Sequence, residues 1–123
     1  MFIYLMGGMT MSTQKERNHE LSIQFLDEKI ERDVAELFKA FSNPTRIKIL
    51  FALKHQKLTV SEISELLSMS QSAISHQLHE LKLARLVTFE KQGRKVIYQL
   101  DDHHIHDIFD LAIDHVKEVY QYD

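Results

Sequence analysis

The stretch TVSEISELLSMSQSAISHQLHELKL, residues 59–83, holds two short helical patterns separated by a polar break. Thr59 stands three residues before Glu62. That is the spacing of a capping box, in which hydroxyl and carboxylate satisfy backbone N–H groups left open at a helix start. Ile63, Leu66 and Leu67 follow at positions that turn them toward a core. Ser68-Met69-Ser70 interrupts the pattern, and Ser70 suits the cap of the next helix. From Gln71 onward Ile74, Leu78 and Leu81 recur at i, i+4 and i+7. Gln71, Ser75, His79 and Lys82 form the opposite, polar stripe, with Ser72 and His76 beside it. Two short helices joined by a tight turn make a helix-turn-helix.

Beyond this stretch the period falls to two. Val87 and Phe89 alternate with polar neighbours, as do Val96, Tyr98 and Leu100, and Glu90-Lys91-Gln92-Gly93-Arg94-Lys95 lies between them. This predicts a β-hairpin with a basic tip. A helix-turn-helix followed by such a hairpin is a winged helix.

Upstream, Leu26, Ile30, Val34, Leu37, Phe38 and Phe41 share one stripe of a helix expected from about Glu20 to Phe41. Asn43-Pro44 then starts another, with Asn as cap and Pro in the first turn. That helix is expected to reach about Lys54 with Ile47, Leu50 and Phe51 inward. A last helix is expected over 102–120, with Ile105, Ile108, Phe109, Ala112, Val116 and Val119 on one stripe. The expected fold is mainly α with a β-hairpin wing: a homodimeric winged helix-turn-helix. Residues 1–19 are expected to be a disordered extension, and 20–123 a single DNA-binding and dimerisation domain.

Length and composition fit this reading. A chain of 123 residues buries only about two-thirds of its unfolded surface, so pairing with a second copy helps it. The absence of Cys excludes disulfides and thiolate metal sites. The apolar run Met1–Met6 is too short for a signal core or a membrane span, so a cytoplasmic protein is expected. The net charge of −3 is unevenly spread. Residues 41–100 carry nine Lys/Arg against four Asp/Glu, whereas residues 101–123 carry one against seven. DNA responds to the field within a screening length of roughly 8–10 Å, so the middle block is the candidate binding surface.

Gln71, Ser72, Ser75, His76 and His79 are donors and acceptors of the length that a recognition helix carries into the major groove. Lys82, Lys91, Arg94 and Lys95 suit phosphates, which position the protein without specifying sequence. The expected partner is double-stranded operator DNA. Neither a small-molecule substrate nor a membrane is expected.

The acidic tail holds a different set. Asp102, His104, His115 and Glu118 combine imidazole with carboxylate, a donor set for Zn(II) and also for Co(II) or Ni(II). His115 and Glu118 are i, i+3 and share a helix face. His104 and His115 also share a face but stand about 16 Å apart along the axis, beyond the reach of one ion. Two such helices running antiparallel about a two-fold axis remove the conflict. Asp102 and His104 of one subunit then meet His115 and Glu118 of the other, and the dimer holds two equal sites. Asp102 and His104 are i, i+2, and they converge only if Asp102 sits at the irregular helix start. One of Asp101 and Asp102 is expected to be that helix's N-cap. His103 and His106 read as surface residues. Histidine ligands bind metal only when neutral, so affinity should fall below about pH 6.

Three stretches resemble the ArsR/SmtB family of metal-sensing repressors. They are Phe38-Lys39-Ala40-Phe41-Ser42-Asn43-Pro44-Thr45-Arg46, Ser70-Gln71-Ser72-Ala73-Ile74-Ser75-His76-Gln77-Leu78 and Gly93-Arg94-Lys95-Val96-Ile97-Tyr98. Asp102-x-His104, ten residues, then His115-x-x-Glu118 matches the last-helix zinc site of its zinc-sensing branch at all four positions. The resemblance implies a homodimer that binds an operator when metal-free and releases it on binding Zn(II). Thiolate-using members carry Cys near the helix before the recognition helix; here that segment reads Thr59-Val60-Ser61-Glu62-Ile63-Ser64. The alternatives are a winged-helix regulator that answers a non-metal signal or binds DNA constitutively, and a metal hydrolase. The hydrolase is disfavoured because four protein ligands leave a closed site.

Overall fold

The computed structural model describes residues 21–122. The expectation for residues 1–19 lies outside them. The chain divides into two units between Arg32 and Asp33, inside the first helix described here.

That helix, α1 (Glu28–Phe41), starts later than the apolar spacing suggested. Asp27 takes the start, its Oδ1 accepting from Lys29 N–H at 2.8 Å and its carbonyl from Glu31 N–H at 3.0 Å. A short acceptor at the cap position outweighs hydrophobic periodicity in setting a helix end. Then come α2 (Pro44–His55), the two-residue β1 (Leu58–Thr59), α3 (Val60–Leu67), α4 (Gln71–Leu83), β2 (Val87–Gln92), β3 (Lys95–Leu100) and α5 (His103–Tyr120). This is a winged helix-turn-helix. No helix among the described residues is long and apolar enough to cross a membrane.

The junctions follow from single residues. Asn43 Oδ1 accepts from Thr45 and Arg46 N–H, with Pro44 in the first turn of α2. Thr59 and Glu62 complete both halves of the expected capping box on α3. Ser70 Oγ caps α4 by accepting from Ala73 N–H. Ser68 closes α3 in the left-handed region at φ 54°, and the Ser64 hydroxyl donates to the Met69 carbonyl across the turn.

The wing pairs β2 with β3 from Val87↔Leu100 to Gln92↔Lys95. Its two-residue loop, Gly93-Arg94, has Gly93 at φ +64°. Positive φ at the first loop residue alone is the type II′ pattern, whose twist matches that of paired strands. Sequence reading missed β1, which pairs antiparallel with β3 to give the order β1-β3-β2. Two residues are too few to show a period.

The core gathers Ile49, Leu50 and Leu53 of α2, Ile63 of α3, Ile74, Leu78 and Leu81 of α4, Leu86 and Val87, and Ile105 and Phe109 of α5. Several expected inward residues are not there. Ile47, Phe51 and Leu66 are exposed, as are Val34 and Phe38 on α1. The stripe on α5 is covered only in its first half: Ala112, Val116 and Val119 are exposed. In α2 apolar side chains occur on every face, so spacing alone could not choose Ile49 over Ile47. Phe51 instead lies tilted against Phe109, ring centres 6.3 Å apart, and Phe41 stacks on the same ring at 6.2 Å.

The Thr59 backbone N–H bond holds the Glu62 carboxyl below its ordinary range, helped by the Thr59 hydroxyl and by Lys95. A carboxylate depressed in the folded state adds stability above its unfolded pKa and loses it as pH falls through the folded value. Glu62→Gln should therefore be less stable than the parent at neutral pH, with the gap closing in acid. Urea unfolding from pH 7 to pH 3 measures this, and a gap that stays constant across that range would contradict it.

Candidate DNA-reading surface and metal-ligand helix

Ile74, Leu78 and Leu81 have no exposed surface, and their burial sets the roll of α4 about its axis. The opposite face turns outward as a consequence. Gln71, Ser72, Ser75, His76, His79 and Lys82 are all exposed. Lys91, Arg94 and Lys95 are exposed on the wing, around the Gly93 turn. The structure thus presents helix stripe and basic hairpin tip to solvent, as a groove reader and a phosphate clamp require.

Lys82 has an unexpected neighbour. Its ammonium lies 4.2 Å from the centre of the Phe89 ring, a cation–π contact between α4 and β2. Phe89 packs in turn on Tyr98, its cross-strand partner, with ring centres 5.4 Å apart. Lys82 therefore braces the wing against the recognition helix in addition to carrying charge. Arg46 and Gln77 also escaped sequence reading: the Arg46 Nε–H donates to Gln77 Oε1 at 2.8 Å, tying α2 to α4. The available signal was a polar Gln on the flank of a buried stripe.

At the start of α5, Asp102 is the N-cap, with extended backbone. Its Oδ1 accepts from His104 N–H at 2.9 Å and Ile105 N–H at 3.4 Å, and lies 3.3 Å from His104 Nδ1. The irregular helix start thus brings the i, i+2 pair together. Desolvation is the largest single influence on the Asp102 carboxyl and raises it, but the His104 and Ile105 N–H bonds and the His104 ring together outweigh it and hold the group low. A carboxylate has about four acceptor positions, so Asp102 keeps free lone pairs while capping the helix. His115 and Glu118 are exposed toward the other end of α5. The single chain does not bring the two pairs together. Among the described residues, no group of three or more His, Asp or Glu side chains is placed to hold a metal.

His103 stacks on His104, ring centres 4.3 Å apart. His106 has a partner that sequence reading did not supply. Its Nδ1 lies 3.4 Å from Asp110 Oδ2, and Lys54 Nζ lies 2.8 Å from Asp110 Oδ1. The Lys54 ammonium is the main reason the Asp110 carboxyl lies below its usual range.

Residues 43–88 match the bacterial regulatory protein arsR family. The chain is 37% identical over 87 residues to a transcriptional repressor SmtB homolog of Synechocystis sp., a match covering 71% of this chain and 66% of the relative, just under two-thirds of its length. It is 36% identical over 95 residues to the HTH-type transcriptional regulator NmtR of Mycobacterium tuberculosis, covering 77% of this chain and 79% of the relative. The solution structure of apo-NmtR superposes with a TM-score of 0.67 over 78% of this chain and 81% of that one, at 35% identity. A homodimeric winged helix-turn-helix DNA-binding domain from Mycobacterium bovis shares the fold, with a TM-score of 0.72 over 80% of this chain and 94% of that one, at 24% identity.

Two kinds of contact should separate in binding assays. Ser75→Ala combined with His76→Ala should abolish preference for the operator over random DNA while leaving the protein folded; unchanged operator affinity in a gel shift would contradict this. Arg94→Ala should weaken every DNA sequence alike and lower the slope of log K against log salt by about 0.9. An unaltered slope would remove Arg94 from the phosphate contacts.

Proposed function

Because this chain belongs to the ArsR/SmtB family of winged helix-turn-helix transcriptional regulators and is not an enzyme, we propose that it is a homodimeric, metal-responsive, cytoplasmic repressor. It grips operator DNA when metal-free and releases it on binding Zn(II), with Co(II) and Ni(II) as the competing ions of similar ligand preference. Names of relatives support a repressor role. Gln71, Ser72, Ser75, His76 and His79 read bases, and Lys82, Lys91, Arg94 and Lys95 hold phosphates. Asp102 and His104 of one subunit, with His115 and Glu118 of the partner subunit, form each metal site.

One observation carries the sensor reading: the two pairs of ligands occupy opposite ends of one helix whose outer face lacks cover. The N-cap turn holds Asp102 against His104. His115 and Glu118 stand exposed about three turns away, and Leu111, exposed at 69%, lies between. Val116 and Val119 are exposed on the same half of α5. An antiparallel second copy supplies both the missing ligands and the missing apolar contact. The donor set of imidazoles and carboxylates suits a borderline cation, and bound metal would supply a crosslink between the two α5 helices.

The chain's own residues supply the rest of the mechanism. Asp102 stays ionised and orients His104, and the acidic helix attracts a cation. By linkage, metal that favours the free dimer over the DNA-bound dimer weakens DNA binding by the same factor, commonly about 5- to 150-fold. A crosslink between the α5 helices would hold the two α4 helices at a spacing or mobility unsuited to consecutive major grooves.

Mixed dimers test the shared site. His104→Ala and His115→Ala should each abolish zinc release of operator DNA. Mixed in equal amounts and allowed to exchange subunits, they should regain about a quarter of the parent zinc capacity, because each heterodimer rebuilds one intact site. Equilibrium dialysis measures this. No recovery would mean that the ligands come from one subunit, and zinc-insensitive operator binding by the parent protein would sink the sensor reading.

A further inference from the structure

The helix α2 carries a polar contact at each end, and the two contacts reach different functional elements. In its last turn, Lys54 Nζ pairs with Asp110 Oδ1 of α5 at 2.8 Å. The Lys54 side chain is only 19% exposed, and its ammonium also lies 5.8 Å from the Phe51 ring. Asp110 is held from its other oxygen by His106. In the first turn of α2, the Arg46 Nε–H donates to Gln77 Oε1 in the middle of α4. Between the two contacts Ile49, Leu50 and Leu53 are locked into the core. Eight residues of continuous helix put the ends about 12 Å apart.

We propose that α2 is a rod joining the last helix to the recognition helix, with Lys54 and Arg46 as the positioning residues at its ends. Packed interiors transmit displacement because they compress little. Asp110 stands between His104 and His115, so any restraint that a partner subunit places on α5 bears on the Lys54 anchor. Gln77 follows Ser75 and His76 directly, so a shift of Arg46 moves the base-reading stripe. Bidirectional contacts of this kind are ordinarily invisible to pairwise inspection, because an exposed ion pair by itself contributes little to stability. Here the pair is short, half-shielded and in series with a second contact. The role of the rod in metal release rests on the sensor reading above; the mechanical link itself does not.

Hydrogen exchange on the full-length, zinc-free dimer tests the link directly. Lys54→Met and Asp110→Asn should each speed amide exchange around Gln77 by about fivefold or more, while α3 amides stay within about twofold of the parent. Lys48→Met, which removes an exposed lysine from the same helix, should change neither. In operator titrations, the ratio of affinities without and with zinc should fall at least about threefold toward 1 in Lys54→Met and Asp110→Asn, with zinc affinity itself within about threefold. Unchanged exchange in α4, or equal acceleration in α3 and α4, would overturn the link. A parent protein whose operator affinity ignores zinc would overturn the sensor reading alone, because the exchange comparison contains no metal.

Discussion

Burial of Ile74, Leu78 and Leu81 is the constraint on which the rest of this structure depends. A helix carrying three side chains with no exposed surface cannot roll without opening cavities, and such voids cost several kcal/mol each in a packed core, typically about 2–5 for a Leu. The roll it imposes turns Gln71, Ser75 and His79 to solvent along one line. The Ser70 cap fixes where that line begins, and the Lys82–Phe89 contact fixes the wing against its far end. A reader of DNA needs those three parts in rigid register, because base contacts tolerate little displacement.

The last helix serves two masters. Its first half is anchored by Ile105 and Phe109 in the core, and its second half is largely bare. Leu111, Val116 and Val119, all exposed on this helix, forgo hydrophobic stabilisation of about 25 cal/mol for each Å² left in water. A second copy of the chain recovers it. In the proposed dimer the same pairing would bring carboxylate and imidazole groups together from both ends, making dimerisation and ligand assembly one event. The acidic charge of residues 101–123 stays apart from the basic block of 41–100 in sequence.

Between these two working surfaces lies α2. Its contribution is mechanical: a core-locked segment with Arg46 reaching one neighbour and Lys54 the other. Each contact ties α2 to one of these elements, and the proposed coupling runs through both.

What the residues alone determined was local. Capping at Asn43, Thr59 and Ser70, the i, i+4, i+7 stripe of α4, and the two-residue alternation of the wing are short-range, because each depends on hydrogen bonds or spacing within a turn or two. The outward stripe of α4 and the N-cap role at the start of α5 belong to the same class. Only tertiary structure decided which apolar residues are core. Ile47, Phe51 and Leu66 have the right chemistry but stand on faces that neighbouring elements among the described residues leave partly open, and hydrophobicity is indifferent to direction until a partner surface exists. It also decided the long-range polar contacts, Arg46 with Gln77 and Lys54 with Asp110. Thirty-one residues separate the first pair, and no periodicity of a single helix encodes a meeting across that distance.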